Sequence, residues 1–246
     1  MQTIHVAFLN FYKELTKEEV KKVISALQIQ VQRDFAPAWG ITAELKFYDS
    51  PKDVPAHAWQ MVILESSDQA GDLGYHELTS SGKPLGRVFA GTIKRTKDSW
   101  TNTISHELLE MLADPEASTY IFRQHPNGSG ILYAYESCDP CQDSTYGYKI
   151  NGVLVSDFVY PSWFEQYHPP GTRFDHLKLI KKAFQLLPGG YIPTYTIGKG
   201  KKWKMMNGPK VRRKIKSHAP GTRVERRKKG RSSWIKSKSG VTKKKK

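Results

Sequence analysis

All of the chain's excess positive charge sits in its last fifth, and that segregation limits where a hydrophobic core can be built. Residues 198–246 hold 21 of the 39 lysines and arginines and one of the 23 acids, Glu225, a net of +20; the 18 bases and 22 acids before them give −4. The basic runs at 199–204, 212–216, 226–231 and 243–246 are spaced by Gly, Pro and Ser, with too little apolar content to fold alone. The sequence therefore predicts a folded domain over 1–197 and an extended, disordered basic tail over 198–246. With 38% hydrophobic and 11% aromatic residues in the whole chain, the first part has enough material for a packed core.

That part opens as a βα unit. Residues 4–9 form an apolar strand, and Thr16 answered three positions later by Glu19 is a capping-box signature. Val20, Val23, Ile24, Leu27, Val31 and Phe35 then recur at helical spacing until Pro37. Strands are predicted at 42–48 and 61–64. The Gly-rich stretch 71–91 carries Gly74-Tyr75-His76 and an apolar run at 86–90, which predicts a hairpin or edge strand bordering a cleft. Beyond Pro115, short strand-like pieces at 120–125 and 131–135 flank the turn signal Pro126-Asn127-Gly128, and Asn151-Gly152 predicts a tight hairpin. Phe174, Leu177, Ile180, Phe184 and Leu187 form a stripe that predicts a last amphipathic helix, closed by Pro188-Gly189-Gly190. The element order is that of an α/β (α+β) fold, without internal repeats.

The chemistry centres on Ser105-His106-Glu107-Leu108-Leu109-Glu110. A helix puts positions four apart on one face, so His106 and Glu110 can ligate one metal ion while Glu107, on the adjacent edge, takes a proton from metal-bound water. Leu108, Leu109, Met111 and Leu112 make the rest of that helix apolar, which sets the pair beside a core. A third ligand is needed. Glu136 is the first choice, because the segment after Glu110 is long enough to bring it back to the helix; Asp114, Glu116 and Asp139 are the alternatives. Two carboxylates and a neutral imidazole would balance the charge of a divalent ion, so its water is less acidified than at a three-histidine site, and iron, manganese or calcium compete with zinc.

Cys138-Asp139-Pro140-Cys141 is half of a structural zinc site and reads first as two packed cysteines. Two cysteines make no disulfide framework and fit a reducing compartment. His57, His76, His125 and His168 are isolated and read as ordinary surface or core residues, although His76 falls in the segment expected to border the cleft. Tyr160, Trp163 and Tyr167 read as core or wall aromatics.

Three segments taken together resemble a known group: the 105–115 run ending in Asp114-Pro115, then Tyr135-Glu136 with Cys138-Asp139-Pro140-Cys141, then 153–164 with Asp157, Pro161, Trp163 and Phe164. They are similar to a family of little-characterised bacterial and phage proteins over most of residues 1–197. The N-terminal element order also resembles the upper subdomain of zincin metallopeptidases. The resemblance implies a zincin-like mixed sheet with an active-site helix, His106 and Glu110 as ligands, and Glu107 as general base. Glu110 stands where zincins keep a second histidine.

The tail's Lys201, Lys202, Lys204, Arg212, Arg213, Lys214, Arg226, Arg227, Lys228 and Lys229 are suited to phosphate contacts, and Trp203 and Trp234 to stacking on bases or anchoring on protein. Nucleic acid is the expected partner, with acidic virion proteins next and no membrane, since no hydrophobic anchor accompanies the charge. No apolar run reaches about eighteen residues, and residues 1–6 begin as a strand, so the expected location is cytoplasmic or virion-associated. The resulting expectation is a zinc-dependent, metallopeptidase-like hydrolase of peptide or other amide bonds with a DNA-binding tail. Its rival is an inert zincin-like scaffold serving as a structural, nucleic-acid-associated phage protein.

Overall fold

A computed structural model of the protein describes residues 3–68, 72–96, 98–125, 127–198 and 203–210. Its centre is a five-stranded mixed sheet built from β1 (Ile4–Asn10), β2 (Ala43–Phe47), β3 (Trp59–Leu64), β4 (Gly74–Leu78) and β5 (Pro84–Phe89), in the order β2-β1-β3-β5-β4. β1, β2, β3 and β5 run parallel; β4 is antiparallel to β5 and forms one edge. Parallel strands need crossovers that cover a face, and α1 (Lys17–Ile29) supplies the first of them. Thr16 and Glu19 close a reciprocal capping box at its start, as their spacing predicts.

The helical pattern does not stop at Pro37. It continues through a π-helical turn, Gln30–Phe35, into α2 (Ala36–Trp39), which ends at Gly40 with φ +69°. The wider turn accepts Pro37 near the start of α2, where a missing N–H costs little, and carries Gln30 and Asp34 into the interior.

After α3 (Ala90–Thr96) comes α4 (Trp100–Ala113), capped by Ser99. Residues 104–112 of α4 are all buried, because the helix is covered by β4 and β5 on one side and by later segments on the other. The Gly74–Tyr75–His76 stretch is the true edge strand. The 86–90 run is not an edge: β5 is hydrogen-bonded to β3 and to β4, so it cannot accept an added substrate strand.

A second, antiparallel sheet holds β6 (Tyr120–Gln124), β7 (Gly130–Ala134), β10 (Tyr191–Thr196) and β11 (Lys204–Asn207) in the order β11-β10-β7-β6. The hairpin of β8 (Tyr148–Ile150) and β9 (Val153–Val155) turns at Asn151-Gly152, both at positive φ as a type I′ turn requires.

Two sequence expectations need correction. The stripe from Phe174 to Leu187 forms no helix. Lys178 and Phe184 adopt positive φ, and the buried Asp175 carboxylate takes the backbone N–H groups of Leu179 and Ile180 that a helix would have used internally. Phe174, Ile180 and Leu187 reach a second core, around Trp163 and Phe164, from irregular chain. The paired strands also run past Ile197: β11 pairs with β10, and Trp203 packs on Tyr120 and Tyr195. So Lys204 belongs to a strand, exposed at its side chain, rather than to an extended tail. Lys201, Lys202, Arg212, Arg213, Lys214, Arg226, Arg227, Lys228 and Lys229 lie outside the described residues. No helix among the described residues is long and apolar enough to cross a membrane.

Candidate metal centre

The turn of α4 that carries His106 is fixed before any ligand is considered. Ser105 donates its hydroxyl to Gln30 Oε1 at 2.7 Å and accepts the Ser156 N–H at 2.9 Å, while Gln30 Nε2 donates to Ser156 O at 2.9 Å. Ser105, Gln30 and Ser156 are all buried, so the network locks α4 to the π-helical turn and to the chain just after β9.

One turn of α4 then presents His106, Glu107 and Glu110 to a buried volume. His106 Nε2 lies 3.1 Å from Glu110 Oε2 and 3.3 Å from Asp139 Oδ1. Asp139 opens a short helical turn, Asp139–Cys141, which also brings Cys138 under the helix; the Cys138 N–H donates to Glu110 Oε1 at 3.2 Å. Donor atoms of His106, Glu110 and Cys138 all lie within 4.8 Å of one another, and the same is true of His76, Glu110 and Glu136. Both groups are buried and could hold a metal ion, and Glu110 belongs to each.

The edge strand completes the site. His76 Nε2 is 2.9 Å from the carbonyl oxygen of Asp114, and Nδ1 is 3.8 Å from Glu107 Oε2. Gly74 allows this approach, since a Cβ there would stand 2.8 Å from Glu107 Cγ.

Burial dominates the electrostatics. It opposes protonation of the His106 imidazole, but the Glu110 and Asp139 carboxylates together hold its pKa well above the usual histidine value. Burial raises the Glu110 carboxyl, and the neighbouring Asp139 charge adds to that, while His106 works against it. The Cys138 thiol is pushed well up by burial and by Glu110. In the absence of a cation, such a cluster keeps protons that a metal ion would displace.

The predicted residues divide cleanly. His106, Glu107, Glu110, Glu136 and Asp139 converge. Asp114 is buried but its carboxylate is taken by the Thr119 N–H and hydroxyl at 2.8 and 3.0 Å, so it ends the helix and orients His76 through its carbonyl. Glu116 is exposed beyond the end of α4 and takes no part. Glu136 joins Glu110 on the His76 side, whereas Cys138 is what groups with His106 and Glu110. From the sequence, Cys138 reads first as a packed cysteine in half of a structural zinc site and His76 as an ordinary histidine bordering the cleft; neither stands among the expected ligands, and the structure brings both to Glu110. His76 carried a usable signal in its place on a predicted edge strand; Cys138 did not, because its partner in the CxxC pair, Cys141, belongs to the second core. No protein-family model, curated protein or solved structure matches the chain.

Proposed function

We propose that the protein is a zinc-dependent hydrolase of the zincin-like, metallopeptidase-like kind, whose basic C-terminal segment tethers it to nucleic acid. One observation carries this reading: a nitrogen, a carboxylate and a sulfur donor, from His106, Glu110 and Cys138, converge beside the carboxylate of Glu107. The mixed donor set favours zinc over calcium or magnesium, which prefer oxygen alone. His106, Glu110 and Cys138 would hold the zinc ion, which would supply Lewis-acid chemistry to a carbonyl substrate and to water. Glu107, on the same turn of α4, would accept the proton of the attacking water. An extended peptide would add at β4, the edge strand of the sheet among the described residues.

A second reading has its own support. Glu110 and Cys138 are 0% exposed and His106 8%, a depth suited to a structural ion, which matches a catalytically inert scaffold acting as a nucleic-acid-associated virion protein. Peptide hydrolysis by the zinc-loaded full chain, lost in Glu107→Gln at unchanged metal content, is the expected result. Hydrolysis undiminished in Glu107→Gln contradicts the role of Glu107, and full metal content without any hydrolysis favours the inert scaffold.

A further inference from the structure

We propose that the centre holds two divalent ions, with Glu110 as the shared carboxylate: His106, Glu110 and Cys138 take the first, and His76, Glu110 and Glu136 take the second. This rests on the metal-centre reading above and adds a second site to it.

The ring of His76 gives the first argument. The Asp114 carbonyl can only accept, so the nitrogen 2.9 Å from it, Nε2, is the one that carries the proton. In the neutral ring Nδ1 then presents a lone pair, and 3.8 Å in front of it stands Glu107 Oε2, a buried carboxylate oxygen with no hydrogen-bond partner. Nδ1 is therefore the His76 atom placed to join the carboxylates of Glu110 and Glu136 around an ion. A carbonyl-anchored imidazole is also how proteins orient histidine ligands.

Charge gives the second argument. Glu107, Glu110, Glu136 and Asp139 are each at most 8% exposed. Among the described residues, the ion pairs of Glu107 and Asp139 are with His76 and His106. Ligation ionises Cys138, so with neutral imidazoles the four carboxylates and the thiolate carry five negative charges; one divalent ion leaves three of them unbalanced at this depth, which is costly, and two ions leave one.

Glu110 gives the third. It is 0% exposed and common to both donor groups, with a carboxylate oxygen within 4.8 Å of donor atoms of His106 and Cys138 and of His76 and Glu136. A carboxylate shared in this way can span two ions about 3.5–4 Å apart.

The full chain, stripped with chelator, reloaded with Mn(II) or Zn(II) and desalted, should retain two ions per chain. His76→Ala should retain one, and Glu110→Ala none. One ion in the wild type overturns the second site and leaves the metal centre standing; no ion in the wild type overturns both; two ions in His76→Ala overturn the assignment of His76. Should His76→Ala fail to fold, the Mn(II)-loaded wild type decides. An exchange-coupled electron paramagnetic resonance spectrum is expected, and the six-line signal of isolated Mn(II) overturns the proposal.

Discussion

Asp157 and Asp175 meet in the interior, 1% and 0% exposed. Asp175 accepts N–H groups from Leu179 and Ile180; burial, reinforced by the Asp175 charge, raises the Asp157 carboxyl to about 8. The proton on Asp157 Oδ2 then donates to Asp175, which accounts for an oxygen that otherwise has no donor. Because the folded value lies above the unfolded one, the native state holds a proton that the unfolded chain releases above about pH 4. This contribution to stability is complete below about pH 4 and is lost as pH rises to about 8, at a slope of at most about 1.4 kcal/mol per pH unit. Chemical denaturation between pH 5 and 8 should show that slope, and Asp157→Asn, which keeps a donor without a titrating group, should flatten it; an unchanged slope contradicts the shared proton. A second residue-scale prediction concerns Gly74. Its alanine variant brings a Cβ to 2.8 Å from Glu107 Cγ and 3.0 Å from Arg87 O, so Gly74→Ala should lose about 1–3 kcal/mol and displace Glu107, read as reduced hydrolysis at retained metal content.

At the scale of elements, α4 can present His106, Glu107 and Glu110 together because other elements hold its first turns still. Removing the buried Gln30 side chain leaves the Ser105 hydroxyl and the Ser156 carbonyl without their partners. Gln30→Ala should therefore cost about 1–3 kcal/mol in unfolding free energy and weaken metal binding although it touches no ligand. A stable variant with wild-type metal affinity contradicts that positioning role. The same elements show how far local sequence carries. The α4 helix, the capping box at Thr16 and the Asn151-Gly152 turn are legible because their signals are satisfied within a few residues. The stripe from Phe174 to Leu187 misleads because Asp175, Lys178 and Phe184 settle that segment by long-range packing and positive φ, which periodicity does not record. Cys138 and His76 are harder to read for a related reason: what brings them to Glu110 is the return of distant chain, across 28 residues in one case and 34 in the other.

For the whole molecule, the two halves of the charge distribution have separate tasks. The candidate metal centre belongs to a part of the chain with net negative charge, and the +20 of residues 198–246 is the basis for the proposed binding of nucleic acid. The folded strands continue through β11, so a chain cut after residue 210 keeps β11 paired and Trp203 on Tyr120. Such a truncation should retain metal and lose DNA binding, while the full chain should bind DNA with an affinity that falls steeply between about 50 and 200 mM salt. Equal, salt-independent binding by both contradicts the assignment of the basic segment. The central claim is a divalent ion held where α4 meets the Asp139–Cys141 turn. An anomalous-scattering map from zinc-loaded crystals, collected across the zinc edge, tests it directly. The account predicts a peak about 2.0–2.3 Å from His106 Nε2, a Glu110 oxygen and Cys138 Sγ; a map without a peak among these atoms in the folded, zinc-saturated protein would contradict it.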